Sequence, residues 1–182
     1  DRTLLFLRNI EEIEITDRVR GSTKRISKTK VSDTGDYEIY EFETLKDDKN
    51  KETSSWLVFR STSEIPPRIK EDQFTKRWER DELDSREVMV GFRLEEDGKL
   101  TKEEGTAHMG VFSFLPLKEV PSGLNFLVQA DFLTAPGRET IHRGAPWNEW
   151  LAEEVYRLLV NDVVPVFKND NRWKYYFTSI LY

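Results

Sequence analysis

Cysteine is absent from this 182-residue chain. That removes disulfides, thiolate zinc sites and cysteine nucleophiles, and it is compatible with a reducing compartment. Histidine is nearly absent: His108 and His142 are the only two. With only these two and no cysteine, no zinc or iron centre is expected. No apolar run approaches the roughly 18 residues of a membrane span, and no secretory signal pattern is present. No membrane association is expected, and the cytoplasm is the expected compartment. The Gly-x-Ser-x-Gly elbow, the Walker lysine loop and the paired-glycine dinucleotide fingerprint are missing as well. The chain therefore carries no complete active site, and alone it is not expected to be an enzyme.

Positive charge is also scarce. The net charge of −6 argues against a nucleic-acid surface as the main activity, because neutralising phosphates takes clustered Lys and Arg. The one basic stretch, Arg18 to Lys30, is read as a solvated hairpin face, with nucleic-acid contact as a weaker alternative.

What is present is enough to build a core. Five Trp in a 12% aromatic content supply large apolar anchors. The ends, with Leu4-Leu5-Phe6-Leu7 close behind Asp1 and Ile180-Leu181-Tyr182 at the other side, are expected to be cut from a larger protein. Ile13 and Ile15 alternate with Glu12 and Glu14 as in a half-buried strand. Residues 18 to 30 suit an exposed edge strand, Tyr37 to Leu45 another strand, and Trp56 to Arg60 a strand buried on both faces. These four make an antiparallel meander. Pro66-Pro67 ends it, since neither residue can donate a ladder hydrogen bond.

The expected division is residues 1–69, an antiparallel β-rich lobe, and residues 70–182, an α+β lobe, with one continuous domain as the alternative. In the second part, Lys70 to Asp84 carries Phe74 and Trp78 at helical spacing. Val88 to Leu94 reads as a strand followed by a hairpin at Glu95 to Gly98. Val111 to Leu117 and Leu124 to Ala130 read as further strands. Pro146 stands at the first position of a helix with Glu149 in its first turn. Trp147, Trp150, Leu151, Val155, Leu158 and Leu159 form the apolar stripe of that helix. Pro165 ends or kinks it. Arg172 to Tyr182 forms a further helix or strand.

The loop between the last strand and that helix, Leu133 to Trp147, is the candidate site. It holds Arg138, His142 and Arg143 just before a helix start. Arginine's planar fork suits phosphate oxygens, and a helix N-terminus favours a nearby anion. One helical turn would put Arg138 and His142 on the same side. The alternative is an ordinary connection in which Arg138 pairs with Glu139 or Asp131. Trp147 and Trp150 are read as core anchors.

Gln129-Ala130-Asp131-Phe132-Leu133-Thr134-Ala135-Pro136-Gly137-Arg138-Glu139 resembles a segment in the middle domain of the ninety-kilodalton heat-shock chaperones. The match is closer to GHKL-type ATPases related to sacsin and to the plant NO VEIN protein. Phe6-Leu7-Arg8-Asn9-Ile10, Trp56-Leu57, Phe114-Leu115-Pro116 and Trp147-Asn148-Glu149-Trp150-Leu151 add landmarks in the same order. The resemblance implies a transducer domain, an α+β fold like that of a small-subunit ribosomal protein with a helix packed on a sheet, beside an N-terminal ATP-binding domain. It implies that Arg138 reaches the terminal phosphate of ATP, with Arg138, His142 and Arg143 as the nucleotide-facing residues. ATP and Mg would be held mainly by the neighbouring domain, and none by this chain alone. The family has Gln where this chain has His142, which leaves that position's role open. A homodimer is among the partners the family suggests. The alternative from another class is a protein-interaction module without a nucleotide link.

Overall fold

A computed structural model describes residues 2–47, 49–101, 110–121, 125–137 and 140–175. The expected α+β class is found. One helical turn, α1 (Arg2–Leu5), is followed by four strands: β1 (Glu12–Asp17), β2 (Ser22–Asp33), β3 (Glu38–Lys46) and β4 (Asn50–Glu64). Two short helices, α2 (Pro67–Lys70) and α3 (Gln73–Arg77), lead to β5 (Ser85–Leu94). Then come β6 (Gly110–Ser113), β7 (Leu115–Pro121) and β8 (Leu127–Gln129). Helix α4 (Pro146–Leu158) runs through a π-turn (Leu159–Val163) into α5 (Val164–Asn169).

All eight strands join one sheet in the order β1-β2-β3-β4-β5-β8-β6-β7, antiparallel except where β6 runs parallel to β8. Strand β4 pairs with β5 from Ser55↔Leu94 to Glu64↔Ser85, so the sheet crosses residues 69 and 70 without a break. The alternation in β4 explains why its middle, Trp56 to Phe59, reads as apolar without a break. Leu57 and Phe59 enter the core under α4 and α5 with Phe92, Phe126, Phe167 and Trp173. Trp56 and Val58 enter the opposite core with Leu4, Leu5, Phe6, Phe42 and Met89. A strand covered on both faces has no polar side to show.

Several elements differ from the sequence reading. Strand β2 lies inside the sheet, and the edge is β1. The stretch from Lys70 to Asp84 is not one helix. Asp72 is extended and its Oδ1 accepts the Phe74 and Thr75 N–H groups at 2.9 and 3.0 Å, so it starts a separate turn. Val111 to Leu117 folds back on itself at Phe114, which has φ +61 between the paired residues Ser113 and Leu115. Of the two outcomes expected at Pro165, an end to the helix is not found, and the helical run continues with an irregularity just before it. The π-turn ahead of it widens the ladder where the proline has no N–H to give. The reading of Arg172 to Tyr182 is met only by turns at 171–175, and residues 176–182 lie outside the described residues.

Helix α1 sits over the middle of the sheet because β5 leaves room there. A Cβ on Gly91 would lie 3.1 Å from Leu5 Cδ2 and 3.6 Å from Phe6 Cζ. Lys28 fixes its far end, donating from Nζ to the carbonyl of Leu4 (3.1 Å), which also accepts the Leu7 N–H, and to that of Leu7 (2.6 Å), just past the helix. Burial, with Arg60 nearby, lowers the Lys28 pKa. Lys28→Met is expected to lose about 2 kcal/mol, the range for hydrogen bonds from a charged donor. A urea denaturation midpoint unchanged from wild type would refute this anchoring.

Beside Lys28 a chain of charges crosses the same face. Arg8 and Arg60 both reach Glu87, Arg60 also pairs with Glu38, and Lys30 bonds Glu38 at 2.9 Å. Burial alone would raise the Glu38 carboxyl, but Lys30 and Arg60 outweigh it and hold the pKa below its ordinary 4.5. A depressed carboxylate contributes stability that is full above its unfolded value and is lost as pH falls through the folded value. Glu38→Gln should therefore cost about 1–2 kcal/mol at neutral pH. It should also flatten the loss of stability below pH 4.5. Parallel acid limbs for the two proteins in a pH series of denaturation curves would contradict that.

Candidate functional site: the loop between the last strand and the long helix

Strand β8 ends inside the protein. Gln129 and Asp131 are 4% and 5% exposed, and buried polar groups of this kind need partners. Gln129 Oε1 accepts the Phe114 N–H at 2.9 Å, which holds the left-handed reversal between β6 and β7. The two Asp131 oxygens are divided between two arginines: Arg80 donates to Oδ1 at 3.1 Å and Arg86 to Oδ2 at 2.9 Å. The Arg86 guanidinium also lies 6.0 Å from the Trp147 ring centre.

The backbone after Asp131 is bound residue by residue by side chains from elsewhere. Trp147 Nε1 donates to the Asp131 carbonyl at 2.8 Å, and Ser113 Oγ to the Phe132 carbonyl at 3.0 Å. Asn148, 5% exposed in the first turn of α4, turns its amide back onto the loop. Its Oδ1 accepts the Leu133 N–H at 2.8 Å, and its Nδ2 donates to the carbonyls of Leu133 and His142, both at 2.9 Å. His142 N–H closes the ring onto Leu133 O at 2.9 Å, Thr134 pairs with Ile141, and Ala135 N–H reaches Thr140 O at 2.9 Å. Pro136 and Gly137 are exposed beyond this paired base.

These contacts locate the expected site residues. Arg138, the central one, lies outside the described residues, as do Glu139 and His108. The described flanks of the loop pair as a hairpin, and the one-turn spacing expected between Arg138 and His142 falls on a residue outside the described ones. The His142 ring is turned inward, 5.5 Å from the Phe74 ring and 5.4 Å from the Trp78 ring. Its Nε2 is buried without a hydrogen-bond partner among the described residues. Arg143 is exposed, ahead of the α4 start at Pro146. Trp147 and Trp150 are core anchors, 0% and 2% exposed. Both Asp131 oxygens receive an arginine, while the expected alternative of an Arg138 pair with Asp131 or Glu139 falls on residues outside the described ones.

A cleft of about 500 Å³ opens on the other side of Asp131. Phe6, Arg8, Arg86, Phe114, Gln129 and Asp131 are among its walls. Among the described residues no group of three or more metal-ligating side chains is present, and no helix is long and apolar enough to cross a membrane. Sequence reading missed Arg80, Arg86 and Asn148. The arginines look like ordinary surface charge in Trp78 to Glu87, and no local spacing ties them to a residue 45 to 51 positions later. Asn148 had a usable signal: a polar residue between Trp147 and Trp150 on the apolar stripe of a helix.

Over 84 residues the chain is 38% identical to Protein NO VEIN of Arabidopsis thaliana, a stretch that makes up 45% of this chain and 3% of that protein. The chain is thus related to NO VEIN, and it spans only a small fraction of that relative's length. No family model matches the chain, and no solved structure matches it.

Proposed function

We propose that this chain is the transducer segment of a larger GHKL-type ATPase and supplies Arg138 to the terminal phosphate of ATP held by an adjacent N-terminal domain. The observation that carries this reading is the loop's construction: a base bound at Asp131, Phe132, Leu133 and His142, and an exposed tip leading to Arg138. A residue that must enter another domain's site needs a fixed root of this kind. NO VEIN, to which part of the chain is 38% identical, is one of the proteins that the sequence resemblance named.

The described loop residues fit the anion and not its metal. Arg143 is an exposed donor, whereas among its described residues the loop presents no cluster of carboxylates for a cation. Magnesium would accordingly be held with ATP by the neighbouring domain, where it neutralises phosphate charge. The part played by this chain is a guanidinium delivered on closure, a type of contribution worth about 10³–10⁵ in rate where an inserted arginine serves phosphoryl transfer. His142, with its ring among Phe74 and Trp78, braces the loop rather than contacting nucleotide.

The test is ATP hydrolysis by the full-length protein with Arg138 intact and with Arg138→Ala. An unchanged rate removes Arg138 from the mechanism. The exposed Phe114 and Leu115 favour a second reading, a protein-interaction module. The sequence upstream separates the two: an Asn/Glu helix followed by Asp-x-Gly-x-Gly accompanies an ATP site, and its absence favours the module.

A further inference from the structure

Gln129 is bound at one end of its amide and open at the other. The Phe114 N–H can only donate, so the amide it meets at 2.9 Å must turn Oε1 toward the β6–β7 reversal and Nε2 away from it. Gln129 is 4% exposed, yet Nε2, with two hydrogens to give, meets no acceptor among the described residues. Nor is Nε2 sealed off: Gln129 stands on the wall of the 500 Å³ cleft beside Asp131. Holding Phe114 requires an acceptor and nothing more, so the spare donors are a cost that the fold does not explain. Phe114 is the second such residue. A phenylalanine at φ +61 is strained, and the strain keeps its ring half exposed on the rim of the same cleft.

The register of the sheet builds the floor. Thr62 pairs with Glu87 and Met89 with Gln129, so the four side chains share the face that carries α1, and Phe6 closes the cleft from the end of that helix. Both carboxylates on the cleft are doubly paired, Asp131 with Arg80 and Arg86, Glu87 with Arg8 and Arg60. Arg60 is shared with Glu38, and Lys30, which also reaches Glu38, is matched by Asp33. Four guanidinium groups therefore face three carboxylates, a local positive excess on a chain whose net charge is −6. Arg86 has spent Nε on Asp131 and Nη1 on the Ser85 carbonyl, which leaves Nη2 to donate. We propose that this cleft binds a small amphipathic acid, one carboxylate on a compact apolar body. The carboxylate accepts from Gln129 Nε2 and Arg86 Nη2 and matches the excess charge, while the body lies against Phe6, Met89 and Phe114. A neutral ligand leaves that charge unmatched, and a phosphate dianion exceeds it. The volume falls in the range of small-molecule sites, about 300–1,000 Å³. No residue of the Leu133 to Trp147 loop takes part, so the site does not depend on the nucleotide reading.

The experiment is isothermal titration of the full-length protein with 3-phenylpropionate, its neutral amide 3-phenylpropionamide, phenyl phosphate and the peptide N-acetyl-glycyl-phenylalanine. A probe of this size in a partly open cleft is expected to bind with a Kd of about 1 mM. The neutral amide should bind at least about tenfold more weakly, because it loses the charge-assisted bonds. Two variants locate the site. Gln129→Glu keeps an acceptor for the Phe114 N–H and turns the spare donors into a carboxylate oxygen, so 3-phenylpropionate should bind at least about tenfold more weakly. Phe114→Gly accepts φ +61 without strain and removes only the rim ring, so affinity should fall about three- to tenfold even if the glutamate variant does not fold. Thermal denaturation establishes that each variant is folded. Equal affinity for acid and amide, tighter binding of phenyl phosphate, or no heat from 3-phenylpropionate well above the expected Kd would overturn the proposal. Wild-type affinity in a folded variant of either residue would do the same. Binding of the peptide without binding of the free acid would overturn the small-molecule assignment in favour of a chain terminus.

Discussion

Asp131→Ala is expected to destabilise the fold by about 3 kcal/mol, the largest stability effect of any single polar substitution proposed for this chain. The carboxylate is 7% exposed and receives one arginine on each oxygen, Arg80 at 3.1 Å and Arg86 at 2.9 Å. Removing it leaves two guanidinium groups facing each other with no counter-charge. They are a third and a quarter exposed, so water offsets part of the cost, which places the estimate at the low end of the roughly 3–5 kcal/mol for breaking a buried pair. At this chain length the loss corresponds to a melting temperature lower by about 6–12 °C. Replacing Arg80 alone should cost less, because Arg86 would still neutralise Asp131. Thermal melts of the Asp131→Ala and Arg80→Ala proteins check both statements, and equal melting temperatures would show that the shared carboxylate is not the keystone of the loop's base.

Arg138→Ala in the full-length protein is expected to slow ATP hydrolysis by about 10³-fold or more while ATP affinity changes by no more than about threefold. The asymmetry is the point of the prediction. An arginine brought in from a second domain meets the nucleotide only after the domains dock, so it contributes to the transition state and little to initial binding. Isothermal titration with a non-hydrolysable ATP analogue gives the binding arm, and steady-state phosphate release gives the rate arm. A variant that loses affinity and rate together would point to a residue of the nucleotide pocket instead. The isolated 182-residue chain should bind the analogue too weakly to titrate.

Much of the first half was legible because antiparallel hairpins are local. Ile13 and Ile15 alternate with acids, strand patterns resume at Tyr37 and Trp56, and β1 to β4 follow in chain order, although the turn at 18–21 was read as part of the second strand. The double burial of β4 was legible for the same reason, because four successive apolar residues leave no polar face. Order beyond neighbours was not. The placement of β8 between β5 and β6, with β6 running parallel to it, pairs residues far apart in the chain, and short runs such as Leu127 to Gln129 do not state a partner. The reversal at Phe114 carries no glycine or asparagine to announce a positive φ. Gln129, from another strand, stabilises it.

The candidate site divides in the same way. By itself the sequence determined that a polar, glycine-bearing loop with Arg138, His142 and Arg143 precedes a helix opening at Pro146, since proline chemistry and apolar periodicity act over a few residues. It also determined that Trp147 and Trp150 are anchors. Only the tertiary structure decided that His142 turns into an aromatic pocket of Phe74 and Trp78, that Asp131 belongs to Arg80 and Arg86, and that Asn148 ties the loop's two ends together. Those contacts join residues far apart in the chain, and burial is what enforces them. A carboxylate or an amide taken out of water must take whatever partner the packed elements bring within about 3 Å. No spacing within the loop's own residues specifies which partner that will be.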